Sequence, residues 1–169
     1  IREFRPHVLV TYDEHGGYPH PDHIRTHELS VYAREAAADP TRYLDQGSAW
    51  QISKLYYDRT FNADRLEKVY DELVKLKHPQ RADLEELRAW MSSRQYTTTT
   101  HIDIGDFFEA RDAALRCHAS QVAPDDRFFF WPNDVQRSAW PFEDYELIDS
   151  TVETTLPETD LFAGIVSDD

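Results

Sequence analysis

Six strand-prone residues, His7-Val8-Leu9-Val10-Thr11-Tyr12, run into a polar loop and then into a helical pattern, and this unit constrains the fold most tightly. The loop, Asp13 to Pro19, turns at Gly16-Gly17. Pro21 fits the first turn of a helix, where its missing N–H is not needed, and Asp22 suits the positive end of the helix dipole. Ile24, Leu29, Val31, Tyr32 and Ala36 to Ala38 carry the helix to about Asp39-Pro40. The pattern predicts a buried strand whose C-terminal end opens through a polar loop into a helix. In open α/β sheets, sites are built at such ends.

The rest of the chain continues the alternation. Lys54 to Arg59 reads as a second strand, and Asn62 is placed to cap a helix through Leu66, Val69, Tyr70, Leu73 and Leu76. Leu84, Leu87 and Trp90 suggest a shorter helix, and Thr97 to Ile104 is β-prone. Asp106 is predicted to cap a helix from Phe107 to Val122 with Phe108, Leu115 and Val122 on its apolar face. The aromatic- and proline-rich segment from about 125 to 169 includes Phe128, Trp131, Trp140 and Tyr145. It is expected to be irregular and to pack over the sheet or a pocket, with the end fraying beyond Ile165. Strands alternating with helices predict an α/β fold. Ile1 and Phe4 share a helical face that Pro6 ends, so the chain reads as starting in the last turn of a helix cut from something longer.

Thirty-two acidic against 18 basic residues give a net charge of -14 over 169 residues. Such a chain repels phosphate backbones and argues against a nucleic-acid partner, while a metal ion or a small ligand is compatible with it. Cys117 is the one cysteine, so no internal disulfide forms, which suits a reducing cytoplasm. No apolar run approaches the roughly 20 residues of a membrane span, and no signal peptide pattern is present.

The loop and helix start gather a phenol, two imidazoles and a carboxylate: Tyr18, His20, Asp22 and His23. Imidazole is a common ligand for zinc, and a second, non-ligating histidine could protonate a leaving amine. Spacing alone leaves alternatives open. The ligands could be His20 with His23, or His23 with His27 one helical turn on, or these histidines could simply cap the helix and bond to backbone. Asp13 and Glu14 read as solvated loop carboxylates or as support for the loop. His118 reads as a core or helix-face histidine rather than a substrate contact. Cys117 reads as a small buried hydrophobe, because adjacent helical residues point apart and cannot form a Cys–His pair.

Gly-Gly-Tyr-x-His-Pro-Asp-His after a hydrophobic strand resembles the LmbE-like metal-dependent N-deacetylase superfamily. Within it, the chain is similar to the mycothiol S-conjugate amidase family of actinobacteria. The resemblance covers Ile1 to Val8, Thr11 to Glu14, Gly16 to Arg25, Lys54 to Tyr57, Arg111 to Arg116, His118 to Gln121 and Pro157 to Ile165. It implies a Rossmann-like sheet with flanking helices, present here without its N-terminal strands, in the C-terminal part (1–169) of a single amidase domain. It implies a zinc-dependent (ferrous iron is possible) hydrolase that cleaves the glucosaminyl amide of a small-molecule mycothiol S-conjugate in detoxification.

By resemblance, His23 is a metal ligand and His20 the general acid, Asp22 orients and charges His20, and Tyr18 polarises the carbonyl and steadies the oxyanion. The family's first metal motif, His-Pro-Asp-Asp, has no counterpart in this chain. The chain alone is therefore expected to bind zinc poorly and not to turn over. The sister N-acetylglucosaminyl-inositol deacetylase and a non-catalytic binding module are the other readings.

Overall fold

The computed structural model describes residues 1–91, 96–126 and 129–166. In chain order the elements are β1 (Val8–Thr11), α1 (Pro21–Ala38), β2 (Lys54–Asp58), α2 (Ala63–Lys75), α3 (Arg81–Met91), β3 (Thr100–Asp103), a short 3-10 turn (Gly105–Phe107), α4 (Phe108–Arg116), α5 (Asn133–Ala139) and β4 (Phe142–Ser150). The fold is mixed α/β, and its sheet runs β1-β2-β4-β3. The chain divides into two compact units, one formed by 1–60, 97–102 and 144–169, the other by 61–96 and 103–143.

In the first unit β1 and β2 pair in parallel, Val8 opposite Lys54 through Thr11 opposite Tyr57. This requires a crossover, and α1 supplies it. β2 pairs antiparallel with β4, Tyr57 opposite Glu146, with a register shift between Leu55 and Tyr56. β2 is central and buries Lys54, Leu55 and Tyr56, whereas β1 leaves Val10 41% exposed. The expectation of a fully buried first strand is corrected: β1 pairs on one side with β2 and stands at the edge of this sheet.

Two polar devices hold this unit. Lys54 is fully buried, and its ammonium pairs with the Glu158 carboxylate, which also accepts from the Tyr56 hydroxyl at 2.7 Å. Glu158 also bridges to Thr100, the first residue of β3, and a buried ion pair of this kind is tolerable only because hydrogen bonds complete it. At the C-terminal end of α1 there is no basic residue in the last turn. Arg2 instead donates to the carbonyls of Ala36, Ala37 and Asp39, satisfying groups that a helix end leaves unpaired.

The second unit is built on α2, α3 and α5, whose Leu66, Val69, Leu73, Leu84, Leu87, Met91 and Val135 form one apolar cluster. Asn62 caps α2 as expected, its side chain accepting from the Arg65 N–H at 2.8 Å. Several expectations are corrected here. Asp106 lies inside the 3-10 turn and caps nothing, and α4 ends at Arg116, short of Val122. Cys117 is therefore exposed at the helix end rather than buried, and His118 is exposed just beyond it rather than in a core. The aromatic segment is not irregular throughout: it contains α5 and the nine-residue β4. Trp131 and Trp140 pack against the apolar cluster, while Phe128 lies outside the described residues. No helix among the described residues is long and apolar enough to cross a membrane.

Candidate active site

All four residues singled out in the loop lie in the first unit, at the junction of β1 and α1. The turn forms because Gly16 and Gly17 adopt φ +75° and +70° in succession, conformations that L side chains rarely take. The chain then enters α1 with Pro21 in its first turn, as the sequence predicted.

His23 sits on the first turns of α1, and its Nδ1 lies 3.0 Å from the Gly16 carbonyl oxygen. A carbonyl can only accept, so Nδ1 carries the proton and Nε2 carries the lone pair. That is the tautomer a metal-ligating histidine needs, and a carbonyl is one of the usual groups that fix it. The ring also lies flat on Tyr12, centroids 4.0 Å apart and planes 8° apart. The edge of the Tyr18 ring approaches from another side at 4.7 Å. Burial, aided by Asp58 and Tyr18, pushes the Tyr12 phenol up, so it stays protonated.

His20 is the N-cap of α1, and its Nδ1 accepts from the Asp22 N–H at 3.2 Å. Helix capping and a place in the site therefore coexist in one residue. Because Nδ1 accepts, the neutral ring holds its proton on Nε2. The Asp22 carboxylate stands 4.0 Å from the same Nδ1 and is 90% exposed. The His20 and His23 ring centroids are 5.3 Å apart, and Tyr18 lies 5.9 Å from His20. The structure thus brings Tyr18, His20 and His23 together, with Asp22 at their solvent side. His27 donates Nδ1–H to the Tyr12 carbonyl at 2.8 Å and meets the edge of Tyr57, tying α1 to the end of β1.

Asp13 corrects the solvated-loop reading. It is 3% exposed, and its Oδ1 accepts from the N–H groups of His15 and Gly17 at 3.0 and 2.9 Å. Its Oδ2 meets the Arg59 guanidinium at 2.5 Å. Burial works against ionisation of Asp13, but the Gly17 N–H, Arg59 and the His15 N–H outweigh it and hold the carboxyl below its usual range. Arg59 also donates to Glu146 on β4 at 2.9 and 2.5 Å. Glu14, next to Asp13, does stay exposed.

Among the described residues, no group of three or more His, Cys, Asp or Glu side chains is gathered to hold a metal ion. His23 has the lone-pair geometry of a ligand, so the residues present fit a cation as one imidazole of a larger shell.

No protein-family model matches the chain. It is 47% identical to a mycothiol S-conjugate amidase of Streptomyces coelicolor over 171 residues, covering 98% of this chain and 57% of the relative. The chain is similar to this amidase along nearly its whole length. Its similarity extends to a second branch. 1D-myo-inositol 2-acetamido-2-deoxy-alpha-D-glucopyranoside deacetylases of Streptomyces scabiei and Streptomyces avermitilis are 36% and 37% identical. Each of those matches takes in 98% of this chain, and 52% and 56% of the respective relatives. The chain therefore spans little more than half the length of the relatives it matches.

Sequence reasoning missed three residues that contact this loop or its supports: Tyr12, Arg59 and Glu146. Tyr12 could have been suspected from its place at the strand's end beside the loop. Arg59 and Glu146 carry no local signal, because their contacts are made across 46 and 87 residues of sequence.

Proposed function

We propose that this chain supplies the acid and oxyanion side of a metal-dependent amide hydrolase acting on mycothiol S-conjugates. The observation that carries the reading is the His23–Gly16 hydrogen bond, which leaves Nε2 free to hold a divalent cation beside Tyr18 and His20. Zinc is the cation proposed, with ferrous iron compatible with an imidazole ligand. The other ligands would come from the part of the relatives' length that this chain does not span. A bound cation supplies Lewis acidity and lowers the pKa of water, which an amide, a poor electrophile, requires.

The chain's own residues handle charge and protons. The Tyr18 hydroxyl donates to the substrate carbonyl oxygen as negative charge builds there. His20 delivers a proton to the departing glucosaminyl nitrogen, which would otherwise leave as an amide anion. When Nδ1 of His20 is protonated it can no longer accept from the Asp22 N–H. The Asp22 carboxylate, 4.0 Å away, is then the acceptor within short reach. Asp22 so serves to orient the charged ring and to stabilise it.

In the full-length protein His23→Ala is expected to abolish zinc retention. His20→Ala should keep zinc but lose on the order of 10²–10⁴ in turnover. Full zinc content in the His23 variant would refute the assignment. The second reading, a deacetylase of the acetylated sugar, is favoured by the names of the relatives at 36% and 37% identity, the amidase by that at 47%. Competition between an S-conjugate and the acetylated sugar for one enzyme decides between them. Preference for the acetylated sugar would reverse the choice.

A further inference from the structure

We infer that Arg59 and Glu146 are positioning residues for the metal-binding edge of His23, acting through Asp13 and the backbone of the glycine turn. The inference rests on the reading above that Nε2 of His23 takes the cation.

The Arg59 side chain is only 7% exposed, yet it is charged and lies between two carboxylates. Its Nε and one terminal nitrogen face Glu146, and the other terminal nitrogen faces Asp13. Its own N–H donates to the Asp144 carbonyl at 2.9 Å, so main chain and side chain are both held. A planar fork with fixed donors can serve two acceptors in this way, and an ammonium cannot reproduce the geometry.

Asp13 converts that anchor into loop geometry. Three successive N–H groups converge on it: those of His15 and Gly17 on its carboxylate, and that of Gly16 on its carbonyl at 2.9 Å. Three N–H groups drawn to one residue force the chain back on itself through Gly16 and Gly17. The Gly16 carbonyl is thereby aimed at Nδ1 of His23. Were Asp13 free to turn, that carbonyl would lose its direction and the imidazole could adopt the other tautomer, with a proton on the atom that must hold the cation. Glu146 and Arg59 reach His23 through Asp13 and the glycine turn, so their effect on it is one of orientation.

The test uses the full-length protein and reads three quantities: the zinc dissociation constant by chelator competition, the His23 tautomer by long-range proton–nitrogen correlation in the zinc-free protein, and the thermal midpoint. Arg59→Lys and Glu146→Gln should weaken zinc about tenfold or more and populate the second His23 tautomer. Asp13→Asn keeps an oxygen for the loop N–H groups but loses the ion pair at the residue that touches the loop, and should weaken zinc at least as much as Glu146→Gln. Arg34→Lys, which perturbs the separate Arg34–Asp149 ion pair, should change neither zinc affinity nor tautomer.

The inference is overturned if Glu146→Gln and Asp13→Asn lower the midpoint while zinc affinity stays within about twofold of the parent and His23 keeps one tautomer. Glu146 is 22% exposed, so its variant carries the test even where Arg59→Lys fails to fold. Failure of the underlying reading has a different signature: His23→Ala would bind zinc like the parent.

Discussion

Replacing Gly16 by alanine isolates the role of the glycine turn. At φ +75° a side chain costs about 1–2 kcal/mol in backbone conformation alone. A Cβ at this position would also lie 2.8 Å from His23 Cβ, 2.9 Å from the Tyr18 carbonyl oxygen and 3.1 Å from the Ile24 nitrogen. None of these is the far end of a flexible side chain, so loop or helix must move, adding about 1–3 kcal/mol of overpacking. The expected loss is about 2–5 kcal/mol. Gly17→Ala is the matched control, because its φ is +70° but its Cβ would meet only Tyr12 Cδ1 at an ordinary 3.8 Å. It should lose about 1–2 kcal/mol. Urea unfolding of the full-length protein measures both losses, and chelator competition measures zinc. Gly16→Ala should weaken zinc and Gly17→Ala should not, because only the first displaces His23. Equal stability losses with equal zinc affinities would refute the claim that close approach of Gly16 to His23 sets the ligand's position.

Three further outcomes follow from contacts elsewhere. Glu158→Ala leaves the Lys54 ammonium buried without its partner and should cost about 3–5 kcal/mol in urea melts, whereas Lys54→Met with Glu158→Leu should recover most of that loss. Asp13 is held below its ordinary carboxyl range in the fold, so the unfolded chain takes up its proton first as pH falls. The stability it contributes is complete above the unfolded value near 3.9 and is lost as pH drops through the lower folded value. The gap in stability between parent and Asp13→Asn should therefore shrink across that acidic window. Asn62→Ala removes the cap on α2 and should cost about 1 kcal/mol by the same melts.

The strand–loop–helix unit was legible because its signals are local. Two glycines, a proline and a first-turn aspartate mark the start of α1, and Asn62 marks the start of α2 in the same way. The four residues Tyr18, His20, Asp22 and His23 lie within six consecutive positions and could be found together. β4 was not legible, since Phe142 to Ser150 mixes acidic and apolar residues, and its partner in β2 lies far back in the sequence. The sequence leaves Asp13 between a solvated carboxylate and support for the loop, because nothing near it announces Arg59. The end of α4 was overestimated because the helical spacing of Leu115 and Val122 continues past Arg116, although hydrogen bonding there passes into turns.

The buried pair of Lys54 and Glu158 also sets an order of events during synthesis. The two residues are 104 positions apart, and at about 5–20 residues per second a ribosome takes roughly 5–20 s to travel that distance. For that interval the Lys54 ammonium has no carboxylate of its own to meet and must stay in water, so the middle of β2 cannot be sealed. β1 and β2 can associate early, but the sheet closes only when the segment around Glu158 emerges. A chain released before that residue leaves the ribosome with an open sheet edge and a stranded charge, features that quality-control proteases and chaperones engage.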